Sequence, residues 1–168
     1  SKGDCKDIEL VVPAGAGTAP AISSAAAKMK FLGMTPLSDA VTLAARELRH
    51  TERRATVVLI TDGLETCKAD PCAVGKALEE SGVDFTAHVV GFGLSAEEGK
   101  QVACLAENTG GRYFAANDAS ALAAAISQTV VQAPPVAPAP PAGLDAPDSV
   151  PMSSRFSVSW TGPGDRYD

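Results

Sequence analysis

A chain of 168 residues is long enough for one domain with its own core and some chain to spare. Its net charge of −6 argues against nucleic acid or an anionic membrane surface as the main partner, since both reward clustered Lys and Arg. Apolar residues make up 45 %, many of them alanine, and no run approaches the roughly 20 residues of a membrane-spanning helix.

The opening SKGDCKDIEL has no basic-then-apolar leader pattern and reads as text from inside a domain. Residues 6–12 (KDIELVV) have the composition of a short strand, ended by Pro13 and a Gly-rich turn. Residues 19–31 are alanine-rich, with Ile22, Ala26 and Met29 at helical spacing, and Gly33 stops that helix. A second helix is expected over residues 36–49, where Leu37, Val41, Ala44, Ala45 and Leu48 share one face. Thr35 is its expected N-cap and Pro36 its first helical residue, both favoured there.

Residues 55–61 (ATVVLIT) are apolar and β-branched, the pattern of a strand buried on both faces, and Asp62-Gly63 ends it. Asp70-Pro71 opens a helix as cap and first residue, with Val74, Ala77 and Leu78 inward and Gly82 closing it. Residues 85–92 (FTAHVVGF) are the next buried strand. Ser95 with Glu98 is a capping box for a helix through Asn108. After Gly110-Gly111 comes a short strand at residues 112–114, and Asp118 caps a last helix with Leu122, Ala125, Ile126 and Val130 on one face.

From residue 55 the order is strand, helix, strand, helix, strand, helix, which requires an α/β fold around a parallel sheet. Composition then shifts. Residues 133–151 (APPVAPAPPAGLDAPDSVP) are Pro- and Ala-rich, as in an extended, semi-rigid linker. Residues 152–168 alternate Phe156, Val158 and Trp160, as in the first strand of a separate, truncated β domain or a disordered tail. The division is therefore 1–132, 133–151 and 152–168.

Four cysteines, Cys5, Cys67, Cys72 and Cys104, leave three disulfide connectivities open. Cys67 and Cys72 can close a loop locally; as a zinc half-site they lack a second pair or a His cluster. Cys104 falls on the apolar face of a helix, where a buried free thiol is the simplest expectation.

In open parallel sheets, ligands sit at the carboxyl ends of the strands. Asp62 lies at such an end, and Thr35 opens a helix facing the same edge. A hydroxyl and a carboxylate are hard oxygen ligands, suited to Mg²⁺ and poorly suited to zinc. Taken singly, Thr35 is an ordinary cap and Asp62-Gly63 an ordinary turn.

The strings GDCKDIELVVP, TPLSDAV, ITDGLETCKADPC, VVGFG and TGGRYF occur in this order, and in combination they resemble the von Willebrand factor A (vWA) domain of bacterial secreted proteins, over residues 6–131. The resemblance implies a three-layer, open, mostly parallel sheet with helices on both faces. It implies a metal-ion-dependent adhesion site on the carboxyl edge, holding Mg²⁺ (or Mn²⁺ or Ca²⁺), whose shell an acidic side chain of a protein partner completes. The family's motif is Asp-x-Ser-x-Ser after the first strand, a Thr from a later loop and an Asp after the fourth strand. Thr35 matches the threonine and Asp62 the aspartate.

The Asp-x-Ser-x-Ser part is absent: the nearest strings are Asp118–Ser120 and Asp148-Ser149, on the wrong elements. The family's first strand, first helix and second strand would precede Ser1. If residues 6–12 are the family's third strand and 55–61 its fourth, two central strands are missing between them, leaving bare edges. The chain is thus expected to be a fragment or split chain that swaps strands with a second copy, pairs its strands abnormally, or is completed by another chain or segment.

His88 and His50 are expected to be structural, since no Ser or Cys partner is in sight. Glu65 and Thr66 are loop residues that can reach toward the metal edge but are expected to be solvated. Gly91 and Gly93 permit a tight loop, and Glu97 and Glu98 suit a helix start rather than a catalytic dyad.

The resulting expectation is a metal-dependent protein-binding or adhesion module of an extracytoplasmic (periplasmic or secreted) bacterial protein, not an enzyme, with weak or no metal binding by Thr35 and Asp62 alone. A scaffolding domain with an unused site is the alternative. A metal-assisted hydrolase is a third class, for which no general base is evident. The cysteines and the Pro-rich stem favour an oxidising compartment over an ATPase-associated role.

Overall fold

The computed structural model describes residues 3–29, 33–131, 143–145 and 159–161. Its elements are α1 (Ala19–Ala26), α2 (Leu37–Glu47), β1 (Ala55–Thr61), α3 (Pro71–Ser81), β2 (Phe85–Phe92), α4 (Ala96–Glu107), β3 (Tyr113–Ala116), α5 (Ala119–Val131), β4 (Gly143–Asp145) and β5 (Ser159–Thr161). The chain divides into two units, Ser1–Ala133 and Pro134–Asp168.

In the first unit, β1, β2 and β3 form a parallel sheet in that order, with Ala55 beside Phe85 and Val89 beside Tyr113. Each crossover carries a helix, as parallel pairing demands. Alternation along the strands sends Ala55, Val57, Phe85, Ala87 and Val89 to one face, where they pack with Leu37, Val41 and Ala45 of α2, Leu78 of α3 and Val102, Leu105 and Ala106 of α4. The other face carries Val90 and Ala116 under Ala125 of α5, with Phe114, Ala121 and Leu122 alongside. The fold is therefore α/β, a small open sheet with helices on both faces.

The helix starts follow the cap chemistry. The Asp70 carboxylate accepts from the Cys72 and Ala73 amides at 2.9 and 3.3 Å. Ser95 and Glu98 form the reciprocal capping box. The hydroxyl and then the amide of Ser95 hold the Glu98 carboxyl below its ordinary pKa. Asp118 accepts from the Ala121 amide at 2.8 Å.

The TGGRYF segment secures the third strand to the second. Thr109 is buried, and its hydroxyl accepts from the Ala87 amide at 2.9 Å, a ladder position that β3 starts too late to fill. Gly111 runs so close to β2 that a Cβ there would collide with the Ala87 carbonyl. The Arg112 amide donates to Nδ1 of buried His88 at 3.1 Å, and the Arg112 guanidinium lies over the Phe114 ring. Burial, and then the nearby Arg112 charge, depress the His88 pKa below its ordinary value, so the ring is held neutral. His50 Nδ1 meets the Ala45 carbonyl at 3.1 Å and its ring stands edge-on to Phe85, but its Nε2 lies 3.4 Å from the Ser81 hydroxyl, a serine partner the sequence did not reveal because Ser81 ends a different helix.

Several expectations need correction. Residues 6–12 form no strand; the Ile8 amide donates back to the Lys6 carbonyl in a local turn, and among the described residues no strand pairs with them. The first helix ends at Ala26 and has no buried residue; Ala21 and Ala25 share only an open groove with Val11 and Val12. The second helix runs Leu37–Glu47, and Pro36, not Thr35, occupies its N-cap position. β1 is buried on one face only: Val58 and Ile60 on the other are 37 % and 48 % exposed, since α5 covers β2 and β3 and stops short of β1. Ile126 and Val130 of α5 and Ala77 of α3 are exposed for the same want of a covering element. The third strand begins one residue later than expected, at Tyr113, and continues to Ala116.

Cys104 is not a free thiol: it is bonded to Cys72, joining α4 to the start of α3. Cys5 is bonded to Cys67, so the local Cys67–Cys72 closure does not form. Two disulfides are the chemistry of an oxidising compartment. Among the described residues no helix is long and apolar enough to cross a membrane.

In the second unit, Gly143–Asp145, within the Pro/Ala-rich stretch, pairs antiparallel with Ser159–Thr161. The rest of the expected linker and of the truncated β domain lies outside the described residues.

Candidate functional site

The carboxyl edge of the sheet gathers the loop after β1 and the start of α2. At the end of β1 the Thr61 hydroxyl donates to the Gly63 carbonyl at 2.7 Å and accepts from the Gly63 amide at 3.2 Å. This folds the turn tightly and leaves Asp62 exposed at its tip. Thr35 comes beside it. Its Oγ1 lies 3.9 Å from where a Cβ on Gly63 would sit. Two residues distant in the chain, Thr35 and Asp62, are therefore brought to one short stretch of the edge.

A two-bond clamp fixes that approach. The Thr35 amide donates to the Thr66 hydroxyl at 2.6 Å, and the Thr66 amide donates to the Thr35 carbonyl at 3.1 Å. Thr66 is thus occupied with backbone.

Glu65 is the residue that sequence patterns undervalue. Its Oε2 accepts from the Ser38 amide at 2.9 Å and its Oε1 from the Cys67 amide at 2.7 Å. Pro36 at the N-cap position offers no side-chain acceptor. A carboxylate from a distant loop therefore satisfies one of the orphan donors of α2 and sits at the positive end of its dipole. No local motif announces this, because cap motifs are recognised by short spacing and this acceptor lies in another loop. Glu65 is half-buried and engaged, not the freely solvated loop residue expected.

Beside it, the Ser38 hydroxyl is buried with no hydrogen-bond partner among the described residues, on a residue only 1 % exposed. The Cys5–Cys67 bond pins the N-terminal segment to the end of this loop.

The donors fit a divalent cation poorly. Thr35 supplies a hydroxyl and Asp62 a carboxylate, while Glu65 is engaged with two amides and Thr66 with a third. Among the described residues no group of three or more His, Cys, Asp and Glu side chains is placed to hold a metal. Mg²⁺ keeps its water unless several oxygens replace it. His88 Nδ1 meets the Arg112 amide, and His50 meets the Ala45 carbonyl through Nδ1 and the Ser81 hydroxyl, 3.4 Å away, through Nε2.

No protein-family model matches the chain. It is 33 % identical over 94 residues to the uncharacterized protein YwmD of Bacillus subtilis (strain 168), a match covering 55 % of this chain and 42 % of that protein. It is 31 % identical over 86 residues to the uncharacterized protein YwmC of the same organism, covering 50 % of this chain and 37 % of that one. The chain spans less than half the length of these curated relatives. Among solved structures it is similar to an uncharacterized membrane spanning protein from Vibrio fischeri, at 19 % identity and a TM-score of 0.39, over 67 % of this chain and 64 % of that one.

Proposed function

We propose that the chain is a protein-binding module of the vWA type from an extracytoplasmic bacterial protein, recognising its partner at the carboxyl edge of the sheet. What supports this is the placement of Thr35 against the turn that carries Asp62, with the Thr35–Thr66 clamp holding the two strands of loop together. An exposed carboxylate beside a hydroxyl at the carboxyl edge of a sheet suits recognition of a polar or charged partner group. Were a divalent ion such as Mg²⁺ to bind here, Thr35 and Asp62 would be this chain's ligands to it and further oxygens would have to come from a partner or a complementing segment.

Titration calorimetry of the isolated chain with Mg²⁺ and Mn²⁺ tests this. The expected outcome is no stoichiometric heat at micromolar ion, whereas tight binding by the chain alone overturns the incomplete-site account. Once a protein partner is captured, Asp62→Ala should weaken its binding by at least about tenfold, the size of one lost charged contact. Undiminished binding would instead favour the second reading, a scaffolding domain with an unused edge. That reading draws on the engagement of Glu65 and Thr66 in purely structural hydrogen bonds.

A further inference from the structure

The loop after β1 is fastened at consecutive residues. Thr66 holds Thr35 through the two-bond clamp, and Cys67 is covalently bonded to Cys5. Glu65, one residue earlier, accepts from the Cys67 amide with one carboxylate oxygen and from the Ser38 amide of α2 with the other. The position of Cys67 therefore decides how Thr66 meets Thr35 and how Glu65 meets the first turn of α2. The polar fastenings of the carboxyl edge all converge on the residue that carries the disulfide.

The two disulfides stand in different surroundings. Cys72 lies in the first turn of α3 and Cys104 within α4. These helices pack closely whether or not the bond is present. A Cβ on Gly75 would sit 3.1 Å from the Leu105 carbonyl oxygen, and the Asn108 side chain donates to the Cys72 carbonyl at 2.8 Å. Two thiols borne on packed helices stay opposed when their bond is cut, and that high effective concentration drives reclosure.

Cys5 and Cys67 both lie outside helices and strands, and neither is buried. Loop backbone relaxes once the bond is cut and carries the thiols apart, which makes such a bond the easier one to reduce. Lys6 and Lys68 follow the two cysteines. Positive charge beside a cysteine favours both the approach of an attacking thiolate and the departure of the released one.

We infer that Cys5–Cys67 is a redox-sensitive latch on the carboxyl edge: a dithiol opens it ahead of Cys72–Cys104, and its opening loosens residues 62–67 from Thr35 and from α2 while the sheet stays folded. In the opening step a thiolate of the dithiol attacks one sulfur, and the other leaves as a thiolate. The dithiol's second thiolate then displaces the mixed disulfide. Two electrons pass from the dithiol to the Cys5–Cys67 bond, the dithiol closes to its own disulfide, and its two protons end on Cys5 and Cys67. The latch acts on the geometry of the edge and does not depend on what the edge binds.

Two measurements on the full chain test it. The oxidised protein is equilibrated in buffers of graded reduced-to-oxidised dithiothreitol, free thiols are trapped by alkylation, and mass spectrometry reads which cysteines carry the label. Cys5 and Cys67 should label at a reduced-to-oxidised ratio at least about tenfold lower than Cys72 and Cys104 require. Hydrogen exchange followed by NMR then compares the parent with a Cys5→Ser/Cys67→Ser variant. The amides of Thr35, Ser38 and Thr66 should exchange at least about tenfold faster in the variant, and those of Ala87 and Val89 in β2 should stay within about twofold. Opening of Cys72–Cys104 first, or of both bonds together, overturns the latch. Unchanged exchange at Thr35, Ser38 and Thr66 overturns it too. Lost protection at Ala87 and Val89 also overturns it, since the bond would then hold the whole unit rather than the edge.

Discussion

Replacing Glu65 by alanine strips two amides of their acceptor at once. The Ser38 amide, 2.9 Å from Oε2, is a first-turn donor of α2, and the Cys67 amide, 2.7 Å from Oε1, lies in the loop after β1. A lost N-terminal capping acceptor costs about 1 kcal/mol, and a hydrogen bond to a charged group about 1.5–3 kcal/mol when its partner stays buried. Both bonds here are only part-buried, so water recovers some of the loss. The sum is about 2 kcal/mol, with a few tenths added for the helix dipole. For a unit of this size each kcal/mol shifts the melting temperature by about 4 °C, so Glu65→Ala should lower it by about 8 °C. Glu65→Gln keeps one acceptor and loses the charge, and should fall near half that. The assay is thermal and denaturant unfolding followed by circular dichroism, with the disulfides left oxidised. A Glu65→Ala variant within about 0.5 kcal/mol of the parent would refute the capping role, as would equal losses for the alanine and glutamine variants.

Two further outcomes follow from β2. Thr109→Val preserves shape but leaves the buried Ala87 amide without its acceptor, and should cost about 1–3 kcal/mol, whereas Thr109→Ser keeps the oxygen and most of the stability; comparison of their unfolding midpoints checks this. His88 has a pKa lowered in the folded state, first by burial and then by Arg112, so the unfolded chain binds its proton more readily. Its contribution to stability is complete above the unfolded value of about 6.5 and is lost as pH falls from there through the lowered folded value. Stability measured at pH 7 and pH 5 should therefore differ less in a His88→Gln variant than in the parent, and identical differences would show that His88 contributes nothing to the acid limb.

The exposure of Val58 and Ile60 shows where sequence pattern stops. Apolar β-branched residues in an unbroken run place a strand, and residues 55–61 and 85–92 are strands over those very spans. The same run is silent on how many faces are covered, since that depends on which helices cross over it. β2 lies between two strands with helices above and below, and β1 does not. Residues 6–12 have a strand's composition without a ladder, because composition provides a willing segment and only a neighbour provides the hydrogen bonds.

What the sequence determined alone was local: the caps at Asp70, Ser95 and Asp118 and the α/β alternation. Each is decided within a few residues by backbone geometry, side-chain reach or hydrophobic period. The tertiary structure alone decided the Cys5–Cys67 and Cys72–Cys104 pairs, the capture of α2's first turn by Glu65, and the burial of the Ser38 hydroxyl. These join groups far apart in the chain, and no spacing rule encodes them, because the distance between such groups is set by how whole elements pack.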